Sequence, residues 1–318
     1  MKTLVPTIAV VGSINMDLVV RVPHVPAPGE TVVGGDLARY PGGKGANQAV
    51  AAARLGAKTI MIGRVGDDAN GRALLDALAA DGVDTTHVRV CDDAPTGAAT
   101  IAVSDDGENA ICVAPGANAR VTPADVDAAE RALRDCHVCL LQLELPVEPI
   151  VHAIRRCREW NVKTILDYAP APADPPPELL QADVISPNAA EAAVLAGRSE
   201  HAEKMCSSAD AVASLADAVC SRGASCVVLK LGAAGALICN DRGTQRIPPF
   251  TIEAVDTTAA GDAFTAALGV ALAEGQSLAE AARFANAAGA LACTVHGAQP
   301  SMPARDYVVA LLAESPEN

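Results

Sequence analysis

At 318 residues the chain is about twice the usual single-domain length, and with 50% hydrophobic and 19% charged residues it is neither disordered nor short of material for a core. Its formal charge of −14 repels phosphate backbones and anionic membrane surfaces. Nucleic acid and membrane are therefore not expected partners, and an anionic ligand has to be held by local devices such as helix N-termini or a bound cation.

Short β-rich apolar runs alternate with Ala-rich helical stretches. This is the pattern of βαβ units, so the expected class is α/β with a mostly parallel central sheet and helices on both faces. A strand over Thr7–Gly12 opens the chain. The apolar stretch before it is short, carries Pro6 and runs into Asn15 and Asp17, unlike a secretory leader; the longest apolar run, Phe264–Ala273, is well below the ~18 residues of a membrane span. The expected compartment is the cytoplasm. Residues Leu18–Tyr40 break the rhythm, which resumes with a helix over Ala46–Leu55, a strand over Lys58–Gly63 and a helix over Gly71–Asp81. Residues Thr96–Pro115 break it again, around the hairpin turn Asp105-Asp106-Gly107. These two segments, about 18–40 and 96–115, predict a separate small sheet acting as a lid or dimer surface. A helix over Pro123–Arg134, a strand over Val138–Leu143, a helix over Glu148–Trp160 and a strand over Lys163–Asp167 follow. Beyond the stiff loop Pro170–Pro177 come a strand at Val184–Ser186, a helix at Asp210–Ser221 and strands at Cys226–Leu231 and Ala236–Cys239, then helices at Gly261–Ala273 and Leu278–Thr294. Residues 1–318 thus read as one α/β domain with a β lid and no internal repeat. Ten scattered cysteines are expected to be reduced thiols, and Cys136 and Cys139 lack the second pair that a zinc site needs. His24, His87, His137, His152, His201 and His296 show no metal-ligand spacing.

Three motifs carry chemistry. Gly12-Ser13-Ile14-Asn15-Met16-Asp17 follows the first strand, where a parallel sheet collects ligands. A carboxylate beside a carboxamide suits vicinal hydroxyls, and equally suits a turn closed by Asx hydrogen bonds. Gly42-Gly43-Lys44-Gly45-Ala46-Asn47 lets a backbone approach a ligand or acts as a hinge, before a helix with free N–H groups. It is not a phosphate-binding P-loop, because Ala38 stands where the first glycine belongs and Gly45 follows the lysine. In Asp256-Thr257-Thr258-Ala259-Ala260-Gly261-Asp262 the amides of Ala260, Gly261 and Asp262 start a helix and favour negative charge. Asp262 there serves either as a cap or as a base aimed at an alcohol that attacks phosphate.

These motifs, with Glu144-Leu145-Pro146, Pro187-Asn188-x-x-Glu191, Lys230-Leu231-Gly232-x-x-Gly235 and Gly297-Ala298-x-Pro300-Ser301, resemble in order the ribokinase family of PfkB-type carbohydrate kinases along essentially the whole chain. Within that family the Asn-Met-Asp opening and the Ala-Ala-Gly-Asp form are most similar to the ribokinase branch. The resemblance implies a kinase that transfers the γ-phosphoryl of ATP to a primary hydroxyl, most simply the 5-hydroxyl of D-ribose; a related furanose, deoxyribose or nucleoside acceptor, or a silent sugar or nucleotide sensor, remains open. By matching motif, Asn15, Asp17, Gly43, Lys44, Asn47 and Glu144 would hold the sugar, and Asp262 would be the base beside the Ala260 and Gly261 amides. Asn188 and Glu191 would organise Mg²⁺ through water, and Lys230, Leu231, Gly232, Gly235, Gly261 and Asn286 would face the nucleotide. Asp256, Thr258, Ala292, Val295, Gly297 and Ser301 would form a K⁺ loop pair, and His296 would lie near adenine. A homodimer through the β lid is implied as well. Ala259 departs from the commoner glycine; if the position needs positive φ, the side chain costs roughly 1 kcal/mol or more.

Overall fold

The computed structural model describes residues 5–172, 174–198 and 209–315; His201 and Cys206 lie outside the described residues. In chain order the strands are β1 (Thr7–Val11), β2 (Asn15–Val22), β3 (Ala38–Gly42), β4 (Lys58–Gly66), β5 (Asp84–Cys91), β6 (Gly97–Ser104), β7 (Asn109–Ala114), β8 (Val138–Leu141), β9 (Lys163–Asp167), β10 (Val184–Ser186), β11 (Cys226–Lys230), β12 (Ala236–Asn240) and β13 (Gly243–Ile247). The helices are α1 (Lys44–Arg54), α2 (Ala69–Ala80), α3 (Pro123–Ala128), α4 (Glu130–Arg134), α5 (Val147–Glu159), α6 (Ala189–Leu195), α7 (Ala209–Ser221), α8 (Ala260–Ala273), α9 (Leu278–Ala292), α10 (Ala298–Ser301) and α11 (Arg305–Glu314).

The large sheet runs β13-β12-β11-β10-β9-β8-β1-β4-β5, parallel from β5 to β11 and antiparallel at β12 and β13. Alternation along the central strands divides the core between its two faces. Ile8 and Val10 of β1 join Val138 and Leu140 of β8 against α1, α8 and α9, whereas Ala9, Val11, Cys139 and Leu141 face the side built by α3 to α7. With both faces covered, the strands read as continuous hydrophobic runs. Helix α1 rests directly on β1: a Cβ on Gly45 would sit 2.6 Å from the backbone of Gly12. Only glycine permits that approach, which brings the first turn of α1 over the C-terminal end of the sheet.

The small sheet runs β3-β2-β6-β7. It matches the expected lid, but its first strand begins at Asn15 rather than Leu18. Strands β5 and β13 and helices α6, α10 and α11 were not read from the sequence, and the helix expected over Pro123–Arg134 is two helices that meet at Ala129. The expected Gly42–Gly45 hinge is a packed junction in which each glycine has its own reason. Gly43 has φ +88°, Gly42 lies against the Asp17 carboxylate, and Gly45 meets Gly12.

Candidate active site

One cavity of about 860 Å³ opens between the C-terminal ends of the large sheet and the lid. The lid contributes a mostly apolar wall in register: Asp17 pairs with Ala99, which pairs with Val113, and the next row ends in Ile101 and Ile111. Asn15 and Asp17, first and third residues of β2, point the same way because side chains alternate along a strand.

Helix α8 supplies the opposite end. Ala259 caps it in the left-handed region at φ 58°, so the strain foreseen for a non-glycine residue is present. The Ala260 amide makes a long 3.3 Å bond back to Thr257, while the Gly261 and Asp262 amides have no intrahelical acceptor and carry the positive end of the helix dipole. Asp262 is therefore not the cap. It is the third helical residue, 4% exposed, with Oδ2 accepting from Asn47 Nδ2 at 3.0 Å and Oδ1 from Gln48 Nε2 at 3.1 Å. Burial pushes its pKa up, with Asp167 adding to the rise and Lys44, Asn47 and Gln48 opposing it. Asp262, Asp167, Glu144 and Glu191 in turn hold the Lys44 ammonium above its usual range despite burial.

Behind Asp262 lies a relay that the motifs did not reveal. Gln48 Nε2 also donates to Asp167 Oδ2 at 2.9 Å, Gln142 Nε2 donates to Gln48 Oε1 at 2.7 Å, and Lys230 Nζ bonds Asp167 Oδ1 at 2.6 Å. The glutamine orientation follows from its neighbours: with two carboxylates in front of Gln48, its NH₂ end has to face them. Ser13 was also missed; its hydroxyl donates to Glu144 Oε2 at 2.5 Å, an oxygen that also takes the Lys44 amide at 3.1 Å. Asn47 lines the cavity, and its Oδ1 is buried with no hydrogen-bond partner among the described residues, an acceptor left open beside the ligand site.

The structure gathers Asn15, Asp17, Gly43, Lys44, Asn47 and Glu144 with Ala260, Gly261 and Asp262 around this cavity, and places Asn188, Glu191, Lys230, Gly232, Gly235 and Asn286 on its other side. Leu231 is not on the wall; it packs on the core, its amide closing the turn to Gly235 O. The Asn286 NH₂ is committed to Ile247 O and Pro248 O, so it braces that loop. Asn188 and Glu191 cap α6 reciprocally, and burial raises the Glu191 pKa against the pull of Lys230. Asp256 joins the two loops expected to hold a cation: Oδ1 accepts from Thr258 N and Oδ2 from Gly297 N, each at 2.9 Å. Despite partial burial, these bonds keep its pKa low. Thr258 reaches the cavity wall, whereas Asp256, Ala292, Val295, Gly297 and Ser301 lie outside it. His296 is exposed, 3.8 Å from Asp256, and also off the wall.

The wall carries Asp17, Glu144, Asp167, Glu191 and Asp262 against only Lys44 and Lys230, so it repels an anionic ligand unless a cation accompanies it. The Asp256 loops offer carboxylate, carbonyl and hydroxyl oxygens, a donor set that fits a hard cation.

Residues 5–305 match the model of the pfkB family carbohydrate kinases. The chain belongs to that family. Like its relatives, this pfkB kinase is a phosphotransferase acting on an alcohol group. It is 38% identical to the ribokinase of Haemophilus influenzae over 96% of this chain and 98% of that one, and 40% identical to the ribokinase of Bacillus subtilis over 96% and 99%. Among solved structures it resembles the Arabidopsis thaliana ribokinase complexed with ribose and ATP, with a TM-score of 0.86, 36% identity and coverage of 97% and 99%. The ribokinase-like α/β fold with a separate small sheet, expected from the motifs, is thereby shown. No helix of the described residues is long and apolar enough to cross a membrane.

Proposed function

We propose that this chain is a cytoplasmic sugar kinase that phosphorylates the 5-hydroxyl of D-ribose with ATP. One observation carries the reading. A buried carboxylate, Asp262, stands at an anion-favouring helix start inside a cavity whose lid end offers Asn15 and Asp17 and whose far end offers the Gly232–Gly235 turn. Alcohol and triphosphate would meet at that carboxylate.

The roles follow from the contacts. Asp17, Asn15, Glu144 and the unpaired Asn47 oxygen would orient the sugar hydroxyls. Asn47 and Gln48 hold both Asp262 oxygens in place, and Asp262 would take the hydroxyl proton as the oxygen attacks phosphorus. A raised pKa brings the base closer to neutrality, where proton transfer is favoured, while Lys44 beside it opposes the rise and favours the charged form. The Gly261 and Asp262 amides, rather than the expected Ala260 and Gly261 pair, would face charge developing on the transferred group, because the Ala260 amide is turned back to Thr257 O; each such preorganised donor contributes about 3 kcal/mol in a dry site. The apolar lid wall would exclude water that otherwise competes as acceptor. Mg²⁺, when bound, would be held through water by Glu191 and Asn188 and would neutralise triphosphate charge. K⁺ would be held by the Asp256, Thr258, Ala292, Val295, Gly297 and Ser301 oxygens and would steady the helix start from outside the cavity. Residues 1–318 would act as one domain with its lid, and the free edge of β7, exposed along its whole length, would pair with the lid of a second chain.

A coupled ADP-release assay with a panel of pentoses tests this reading. The expectation is ribose-dependent turnover, slow ATP hydrolysis without sugar, and for Asp262→Asn a loss of about 10²- to 10⁴-fold in kcat with little change in ribose KM. Near-normal turnover of that variant would overturn the assigned base. Weaker use of 2-deoxyribose supports the paired Asn15 and Asp17 as readers of vicinal hydroxyls, and light scattering decides the homodimer.

A further inference from the structure

Asn118 belongs to none of the motifs, is 1% exposed and lies off the cavity wall, yet its hydrogen bonds decide what the wall presents. It sits in the 3₁₀ turn Gly116–Arg120 that returns the chain from the lid to the large sheet. Its Oδ1 accepts the Ile14 amide at 3.0 Å; its Nδ2 donates to Ile14 O at 3.2 Å and to Asn15 Oδ1 at 2.7 Å. A backbone N–H can only donate, so the Asn118 atom facing it has to be oxygen, and the NH₂ is directed to the other side. The Asn15 atom meeting that NH₂ must in turn be its carbonyl oxygen. This leaves the Asn15 NH₂ as the end available to the cavity. The pair fits only because residue 97, where β6 leaves for the lid, is glycine: a Cβ there would lie 2.2 Å from Asn118 Nδ2 and 2.3 Å from Asn15 Oδ1.

We infer that Asn118 is a positioning residue for the sugar: it locks the Asn15 carboxamide with its donor end toward the cavity, beside the acceptor carboxylate of Asp17. This rests on the reading that the sugar lies against Asn15 and Asp17. A hydroxyl has one proton; once it is given to Asp17, only lone pairs remain for Asn15, and only the NH₂ end can serve them. A reversed amide would set two acceptors around one proton. Specificity for a hydroxyl at this point is thus fixed by a residue that never touches it, through the backbone of Ile14. The relay also ties the sugar side to both roots of the lid, Gly97 and the Gly116–Arg120 turn.

Asn118→Asp tests the inference. The introduced carboxylate keeps an acceptor for the Ile14 amide but cannot donate to Asn15, so the Asn15 NH₂ turns toward it and the carbonyl oxygen faces the sugar. The expected result is a ribose KM raised about 10- to 100-fold, with kcat and the KM for ATP within about threefold of wild type. In an Asn15→Ala background the same substitution is expected to add nothing. An unchanged ribose KM, or the same loss in both backgrounds, would overturn the inference. A wild-type enzyme that does not phosphorylate ribose would instead sink the functional reading. If the variant does not fold, side-chain amide NMR of the wild type decides: Asn118 NH₂ protons protected before ribose is added and Asn15 NH₂ signals shifting on addition support the relay, and the reverse pattern overturns it.

Discussion

Asp17 sits where a carboxylate is costly. Burial, with repulsion from Glu144 and Asp262, raises its pKa from 3.8 to about 7. A carboxyl whose folded pKa lies above its unfolded one binds its proton more tightly when folded, so stability is highest below the unfolded value and is lost as pH rises through the folded one. With about 1.4 kcal/mol per pKa unit, a rise of about 3 units corresponds to some 4 kcal/mol lost between pH 3.8 and 7 and constant above. Water in the open cavity screens part of this, leaving about 2–4 kcal/mol. Replacing Asp17 with Asn removes the titration and keeps the shape. Thermal unfolding is expected to show a gain of about 4–8 °C at pH 8 and less than half of that at pH 5. The same ionisation governs the substrate: the charged form accepts hydroxyl protons, so wild-type ribose KM is expected to fall as pH rises toward 7 and then level, while the variant binds ribose poorly at every pH. Equal stabilisation at pH 5 and pH 8, or none at pH 8, would refute the argument that burial displaces this group.

The junction before α1 gives two contrasting expectations. A Cβ at Gly42 would fall 2.1 Å from Asp17 Oδ2, the end of a side chain that can swing aside, so Gly42→Ala is expected to fold normally and raise ribose KM at least tenfold without changing the KM for ATP. A Cβ at Gly45 meets the Gly12 backbone, which cannot yield, so Gly45→Ala is expected to lose about 3 kcal/mol in denaturant unfolding. For the loops outside the cavity, Asp256→Ala strands the Thr258 and Gly297 amides; kcat measured with saturating K⁺ is expected to drop to the K⁺-free rate, with ribose KM unmoved.

Sequence patterning carried the central strands and long helices because their faces are fully buried and their periods unbroken. β5, at the sheet edge, mixes charged and apolar residues, and its burial pattern has no clean alternation to read. Legibility of the site divides along a similar line. Asn15, Asp17, Lys44, Asn47 and Asp262 stand in or beside glycine-rich turns where the backbone itself signals a ligand. Gln48, Asn118, Gln142 and Asp167 are single polar residues in apolar surroundings, and their meaning arises only when the topology joins them to partners up to 214 positions away. Ionisation is illegible for the same reason: Asp17 and Asp262 are ordinary aspartates in the sequence, and only the low-dielectric cavity moves them. The two aspartates also show why the polar relay is needed. A base shielded from water loses the solvent that would orient it, so Asn47 and Gln48 replace that solvent with fixed donors, and Gln142 and Asp167 fix Gln48 in turn. The lid end repeats this arrangement, with the Ile14 backbone fixing Asn118 and Asn118 fixing Asn15. In both places the residue that meets the ligand is set by one that does not, and the chain of constraint ends on a backbone amide or a charge whose polarity cannot be reversed.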